Sequence, residues 1–293
     1  MKQLLLILCL SIAFGSLAQI PFRINNEWQL IDRKSKQPII DSTFTKIDHW
    51  RPGYFRVQTS KGYGVIDSVG NWVIPAQYKY LYYPRNGYCS FSNEGNVNVI
   101  QGEVVKGNWG VMSVQGEVII EPKYHQVSIT EFDKVIVQID GNWGPWGIID
   151  MKGNWIEDPT YPTKSFDMRP HSTIHLINHD LLMFEKEKTF YLKKLSTGKV
   201  TKLNHDDFWE PWFFGDYAIL KSPKGETLIN TDGKIVLRGY ETLTGFGNGI
   251  GVGTKGSKSF LLNSEGKVIK ELGEIYEARF LFDVLTFKGP KGL

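Results

Sequence analysis

Trp109-Gly-Val-Met-Ser-Val-Gln-Gly116 is the clearest copy of a motif that recurs along the chain. Tyr63-Gly-Val-Ile-Asp-Ser-Val-Gly70 and Trp146-Gly-Ile-Ile-Asp-Met-Lys-Gly153 repeat its order of an aromatic residue, an apolar strand and a short turn that ends on glycine. A motif that returns at intervals of this size indicates one supersecondary unit copied in tandem. The sequence therefore predicts a repeat architecture.

The last residue of the motif defines seven copies, which are numbered here in chain order. Three residues before it, most copies carry Asp, Asn or Ser, such as Asp67, whose side-chain oxygen can accept a backbone N–H two residues further on. The final glycine can then take the left-handed conformation. This pattern predicts a hairpin built on a type I turn with a glycine bulge. The seven anchors are Ser35, Gly70, Gly116, Gly153, Gly198, Gly233 and Gly266.

Apolar pairs on both sides of the turn, such as Val65-Ile66 and Trp72-Val73, predict the two strands of each hairpin. A further strand precedes the hairpin, for example at 54–58, so each unit is predicted to be a meander of about three strands. The predicted fold is all-β, a tandem array of about seven short antiparallel meanders. Both the N-terminal and the C-terminal end of the sequence carry the opening part of a repeat unit, so the two ends duplicate each other. This favours an open, solenoid-like array; a β-propeller-like ring is the alternative.

Residues that recur in step with the turn are predicted to be structural. Copy five is the most eroded, because Lys193-Lys194 stands where the apolar pair is expected and Tyr191 takes the aromatic position. The predicted structural residues are Trp28, Tyr63, Gly64, Gly70, Trp109, Gly110, Gly116, Trp146, Gly147 and Gly153.

Gly107-Asn-Trp-Gly-Val111, Trp146-Gly-Ile-Ile-Asp150 and the downstream Pro122-Lys-Tyr124 resemble the bacterial WG-repeat (KWG) proteins. The resemblance spans about residues 61–161 and fades to a strand-and-turn pattern in the degenerate copies at 19–60 and 190–293. It implies a β-rich tandem repeat in bacterial, often exported, proteins. It carries no catalytic residues over to this chain.

The first eighteen residues read as a cleavable signal peptide. Lys2 is followed by the apolar run 4–14 and then by Ser16-Leu17-Ala18, which gives the positive start, short apolar stretch and small-residue exit of a secretory signal. A mature single repeat domain of residues 19–293 is therefore expected in the periplasm or outside the cell, with no transmembrane segment. Cys89 remains as its one cysteine, which excludes an intrachain disulfide and is typical of a small buried apolar side chain.

Charge and composition exclude one class of partner. The 34 basic and 31 acidic residues are scattered along the chain, so the sequence has no electrostatic footprint for nucleic acid. Nine Trp, thirteen Tyr and seventeen Phe favour strands and supply large buried areas.

The residues that resemble catalytic, cofactor or metal motifs are better explained by the strands and turns of the repeat. His171, His175 and His179 have residue types that bind metal, but their segment is predicted as strands, which spreads them over about 25 Å. Each turn supplies too few oxygens for calcium, and the glycine-rich 245–253 lacks the third glycine of a dinucleotide loop. No Gly-x-Ser-x-Gly is present. The sequence thus predicts a non-enzyme without catalytic, cofactor or metal residues; a hydrolase or metal protein using 171–207 is a third alternative.

Some aromatic residues lie outside the apolar positions of the repeat, and these are the candidate contact residues. They point to an exported, non-enzymatic scaffold for protein–protein interaction, with an unidentified protein partner contacted through the loops at about 79–105 and 162–190 and through the run 208–214. The alternative is glycan or cell-envelope binding by exposed aromatic rings. The candidate contacts are Trp143, Phe208, Trp209, Trp212 and Phe213.

Overall fold

A computed structural model describes residues 19–94, 99–100, 103–104, 108–166, 169–203, 209–214, 216–246, 249–274, 277–281 and 284–288. These residues form 32 strands joined by turns and contain no helix, so the all-β prediction is confirmed. The paired strands are antiparallel and belong to separate small sheets, none of which closes into a barrel. Within the described residues, no helix has the length and apolar character needed to cross a bilayer.

Six sheets have four strands each and correspond to copies two to seven, while copy one retains the two-stranded sheet β1–β2. In each complete sheet the third and fourth strands are the predicted hairpin. The N-terminal strands are β1 (Gln19–Ile24), β2 (Glu27–Asp32), β3 (Lys46–Arg51), β4 (Tyr54–Thr59), β5 (Gly62–Asp67), β6 (Trp72–Tyr78), β7 (Tyr80–Leu81), β8 (Tyr88–Ser92), β9 (Val99–Ile100), β10 (Glu103–Val104), β11 (Trp109–Ser113) and β12 (Val118–Tyr124).

The remaining copies follow the same plan. Three further hairpins, β9–β10, β17–β18 and β31–β32, form two-stranded sheets of their own. The strands are β13 (Gln126–Ile129), β14 (Lys134–Gln138), β15 (Trp146–Asp150), β16 (Trp155–Tyr161), β17 (Thr163–Phe166), β18 (Arg169–Ser172), β19 (Ile174–Leu176), β20 (Leu181–Lys186), β21 (Thr189–Lys194), β22 (Val200–Lys202), β23 (Trp209–Phe214), β24 (Tyr217–Ser222), β25 (Gly225–Asn230), β26 (Ile235–Tyr240), β27 (Thr242–Gly245), β28 (Ile250–Lys255), β29 (Lys258–Asn263), β30 (Val268–Gly273), β31 (Glu277–Leu281) and β32 (Val284–Lys288).

The predicted count of three strands per unit was wrong, because each complete sheet has a fourth. The missed strand is the first of its sheet, such as β7 or β27. For β7, β13 and β27, a single residue separates this strand from the fourth strand of the preceding sheet, as Lys79 separates Tyr78 from Tyr80. With no Gly, Asn or Pro between them, the two strands read as one continuous run in the sequence.

The chain forms two compact units. The first runs to Glu131 with 135–137 and 151–153, and its core lies between consecutive sheets. Val65 and Ile66 show how one strand serves two cores: Ile66 packs with Leu30 and Phe55, whereas Val65 packs with Cys89 and Met112. This follows from the alternation of side chains between the two faces of a strand.

The second unit comprises 132–134, 138–150 and 154–293, and it is built in the same way. Ile229 packs with Leu192 from the preceding sheet, whereas its neighbour Leu228 packs with Leu262 from the following sheet. Sheets that are adjacent in the chain thus share a core within this unit as well.

Candidate functional site

Trp143 is the most exposed of the tryptophans whose side chains the structure describes, with 58% of its surface open to solvent. It lies in the loop between β14 and β15. The Ile139 N–H donates to the Pro145 carbonyl across 3.1 Å, and the Gly144 N–H donates to the Gly141 carbonyl across 3.0 Å. These bonds close the loop on both sides of the ring.

The buried side chain of Gln138, the last residue of β14, forms hydrogen bonds with the backbone of the same loop. Its Nε2 lies 3.0 Å from the carbonyl oxygens of both Asn142 and Gly144, the two neighbours of Trp143, and 2.9 Å from Thr163 Oγ1. The Thr163 hydroxyl in turn donates to the Gly144 carbonyl across 2.6 Å. These contacts attach the backbone on both sides of Trp143 to β14 and to Thr163 on β17, so the Trp143 ring projects from an anchored loop.

The tryptophans of the repeat motif are buried instead. Trp109 and Trp146 expose only 3% and 4% of their surface. Trp146 Nε1 donates to Thr163 Oγ1 across 2.9 Å, and the Trp109 ring packs 5.2 Å from the Tyr82 ring. Trp28 and Tyr63, at the equivalent positions, are half-buried. These aromatic side chains therefore pack within the fold.

The glycine that follows this aromatic residue is needed because of a close backbone approach. A Cβ on Gly110 would lie 2.9 Å from the Pro122 nitrogen and closer still to the Ile120 carbonyl. The crowding comes from a bulge: Trp109 pairs with Tyr124, but Val111 pairs with Ile120, so the outer strand β12 carries extra residues opposite Gly110.

The same approach occurs in copies two and four. A Cβ on Gly64 would meet the backbone of Ile74 and Ala76, and one on Gly147 would meet Glu157 and Pro159. The Trp-Gly pair and the downstream Pro-x-Tyr of the motif are therefore two sides of one contact between the third and fourth strands.

The turn has the predicted geometry in copies two to four. Asp67 Oδ1 accepts from the N–H groups of Val69 and Asn71, each across 2.9 Å, and the Gly70 N–H donates to the Asp67 carbonyl. Gly70, Gly116 and Gly153 have φ angles of 90°, 91° and 85°, in the left-handed region that favours glycine. A side chain at Gly70 would also collide with Ile40.

The comparison with known families matches these same elements. The model described as "WG containing repeat" matches residues 63–96 and 109–143, each beginning at the aromatic residue before the close-approach glycine. These two segments are similar to the WG-containing repeat. No curated protein matches its sequence.

The solved structures to which this chain is matched share little sequence with it. Dipeptidyl peptidase 4 of Porphyromonas gingivalis has 10% identity and a TM-score of 0.45, with 87% of this chain and 50% of that chain covered. A eukaryotic initiation factor has 9% identity and a TM-score of 0.44, with 87% and 73% covered. BamB from Moraxella catarrhalis has 12% identity and a TM-score of 0.35, with 85% and 79% covered.

Copies one and five of the repeat have a turn one residue longer than the others. In copy five the Gly198 N–H donates to the Lys194 carbonyl, and in copy one the Lys36 N–H donates to the Asp32 carbonyl. The left-handed residue of copy one is Lys36, with a φ of 60°, so Ser35 was the wrong anchor. In copy five the aromatic position moves from Tyr191 to Phe190, since the turn begins at Lys194.

Copy five has no Asp, Asn or Ser at the start of its turn. A carboxylate from the connection between β19 and β20, Asp180, takes its place. Asp180 Oδ1 accepts from the Ser196 N–H across 2.6 Å, and Asp180 Oδ2 accepts from the Ser196 hydroxyl across 2.8 Å. The hydrogen bonds from Ser196 lower the pKa of Asp180 below its ordinary value.

An exposed apolar residue that sequence reasoning missed recurs two residues after the turn glycine, at the start of each fourth strand. The sequence marked this position only as part of an apolar pair. In the sheet order, the fourth strand lies at one of the two edges of its sheet. We call these side chains the outer-strand row; between 40% and 54% of the surface of each is exposed, and they are Trp72, Val118, Trp155, Val200, Ile235 and Val268.

The segments predicted to be loop surfaces are in large part strands of the sheets. The range 79–105 contains β7 and β8 of copy three, and 162–190 contains β17 to β20 and the start of β21. Trp209, Trp212 and Phe213 lie on β23, which pairs with β24 as the first strand of its sheet. The structure describes the backbone of these three residues, and Phe208 lies outside the described residues.

The sequence analysis also considered metal-ligating residues, the glycine-rich segment 245–253 and Cys89. Among the described residues, no group of three His, Cys, Asp or Glu side chains comes together as a metal site. Gly251 and Gly253 give room on one strand face, where a Cβ would meet the rings of Phe246 and Tyr240. Cys89 is fully buried, and this burial raises its thiol pKa to about 12.

Proposed function

We propose that the chain is an exported, non-enzymatic scaffold in which each compact unit binds a protein partner through its own residues of the outer-strand row. The observation that carries this proposal is the recurrence of a half-exposed apolar side chain at one position in six consecutive copies of the repeat. Apolar surface that is left open to water at regular intervals suits a partner that covers it. Export rests on the predicted signal peptide at 1–18.

Two residues of the row are tryptophans, and tryptophan is enriched among the residues that dominate binding energy at protein interfaces. Trp72 and Trp155 occupy the same repeat position, with 47% and 42% of their surface exposed. The outermost strands also have one edge that no strand of their own sheet pairs with, and a partner could extend the sheet there.

A pull-down from a cell-envelope extract, with residues 19–293 as bait, tests this function. The expected result is a stoichiometric protein that is retained by the wild type and lost when Trp72 and Trp155 are both replaced by Ser. The matched control replaces Val69, which is 60% exposed but lies within the turn, by Ser. Equal recovery with all three baits would contradict a role for the row.

A second candidate function is glycan binding at Trp143, and the construction of its loop favours it. A flat ring on an anchored loop can stack on the apolar face of a sugar, and the loop also carries the hydrogen-bonding side chains of Asp140 and Asn142. Retention on purified peptidoglycan that is lost in Trp143→Ala, but kept in the Trp72/Trp155 variant, would support it. Unchanged retention in Trp143→Ala would reject it.

A further inference from the structure

Two largely buried charged residues stand at positions where other copies of the repeat have apolar side chains. The residue just before the first turn residue is a buried apolar side chain in most copies, but in copy five it is Lys193. On the fourth strand, the residue four positions after the turn glycine is Ile74, Ile120 or Leu237 in copies two, three and six, and an exposed lysine in copies five and seven, but in copy four it is Glu157. These two exceptions, Glu157 and Lys193, fall in consecutive copies.

The structure brings these two exceptions together. Lys193 Nζ lies 2.6 Å from Glu157 Oε2, and the Tyr161 hydroxyl donates to the same oxygen across 2.7 Å. Only 11% of the Glu157 side chain and 24% of the Lys193 side chain is exposed, so the contact is largely removed from water. Burial, and then the Glu157 carboxylate, raise the pKa of Tyr161, which keeps its hydroxyl a neutral donor.

The equivalent positions of copies two and three show what the ion pair replaces. There Ile74 and Met112 belong to one core cluster between their two sheets. The Glu157–Lys193 pair therefore takes the place of an apolar contact between neighbouring sheets. A buried ion pair stabilises a fold little compared with apolar packing, but a buried charge without its partner is strongly unfavourable.

The ion pair lies at a junction where the chain connection is long. Copies two and three are joined by one residue, Lys79, between their sheets. The sheets that contain Glu157 and Lys193 are joined by residues 162–173, which include the hairpin β17–β18. The two ends of this connection are held together by Thr173 Oγ1, which donates to the Pro162 carbonyl across 2.6 Å.

We propose that the Glu157–Lys193–Tyr161 cluster is a conformational device that specifies which sheet packs against β16. A single-residue link leaves the next sheet little choice of position, whereas a long link lets other apolar sheet faces compete for the same surface. Any other neighbour would place an apolar side chain against Glu157 and leave its charge unpaired. The cluster thus selects the sheet β19–β22 by penalising the wrong neighbours.

The test uses the protein of residues 19–293 and replaces Glu157 and Lys193, singly and together, by isoleucine, an apolar residue that other copies carry at these positions. Glu157→Ile and Lys193→Ile should each lower the folding equilibrium constant by about a hundredfold or more, since each leaves one buried charge unpaired. The double variant should regain the wild-type urea midpoint. After refolding it should nevertheless give swapped dimers and several sets of amide resonances for β16 and β19–β22, where the wild type gives one monomer and one set.

The control is Lys194→Met, which removes the exposed ion pair of Lys194 with Asp232. It should change neither the urea midpoint nor the number of species. The proposal is overturned if the single variants behave like Lys194→Met. It is also overturned if the double variant refolds to one monomer with one set of resonances, because the pair would then add nothing to the choice of neighbour. If neither single variant folds, the double variant alone decides.

Discussion

Gly110 lies directly beneath Pro122 of the bulged outer strand, with 2.9 Å between the Pro122 nitrogen and the place where a Cβ of residue 110 would be. Real Cβ atoms do not approach a backbone atom this closely, so any side chain at residue 110 must push the fourth strand away. Sheet packing therefore explains why glycine follows the aromatic residue of the repeat motif in this chain.

Gly110→Ala should therefore destabilise the protein by about 3 kcal/mol, the upper end of the cost of overpacking. The matched control is Gly53→Asn: Gly53 has a φ of 77° and open space around its Cβ position, and asparagine tolerates that conformation. Urea unfolding of both variants checks the difference. A Gly110→Ala variant as stable as the control would show that the outer strand adapts.

The two tryptophans of copy four should respond in opposite ways. Trp146→Ala removes a buried ring and its hydrogen bond to Thr163, and should cost about 3–5 kcal/mol. Trp143→Ala removes an exposed ring and should change the free energy of unfolding by less than about 0.5 kcal/mol. Chemical denaturation of each variant distinguishes a core residue from a contact residue. A large loss in Trp143→Ala would exclude the glycan interpretation of that side chain.

Asp180 should make stability depend on pH at the turn of copy five. Its folded pKa is lowered below the ordinary 3.8 by the Ser196 hydrogen bonds, so its contribution is present above that value and is lost as pH falls through the folded pKa. The stability advantage of the wild type over Asp180→Asn should accordingly shrink below about pH 4. Urea midpoints of both proteins across this range provide the measurement. A constant advantage at all pH values would contradict the role of the carboxylate.

Cys89 should not react in the folded protein. Burial raises its thiol pKa to about 12, so very little thiolate is present near neutral pH and reagents cannot reach it. Labelling with a thiol reagent should follow global unfolding and become fast only in concentrated urea. Rapid labelling under native conditions would show that sheet β7–β12 opens locally.

The unit of this fold could be predicted from the sequence because its signals are local. A turn depends on Asp67 and Gly70, which lie three residues apart, and the hairpin follows from the apolar pairs on either side. The longer turn of copy five was missed because its turn ends on Gly198 whether it begins at Leu195 or at Lys194. Only the hydrogen bond from the Gly198 N–H to the Lys194 carbonyl shows where the turn starts.

The candidate sites could be predicted only in part. Trp143 was recognised because it lies outside the apolar positions of the repeat. Trp72 was not recognised as exposed, because a half-exposed residue on an outer strand has the same sequence pattern as a buried one. Whether the sheets form the open array or the ring stays a prediction.

The sequence by itself determined the repeat, its hairpins and its turns, because each depends on residues a few positions apart. Only the tertiary structure decided what lies between the copies. The reason that Gly110 must be glycine is found on another strand, and the reason that Lys193 is tolerated is Glu157, which belongs to the preceding copy. Contacts of this kind join residues that are distant in the chain, and no local pattern records them.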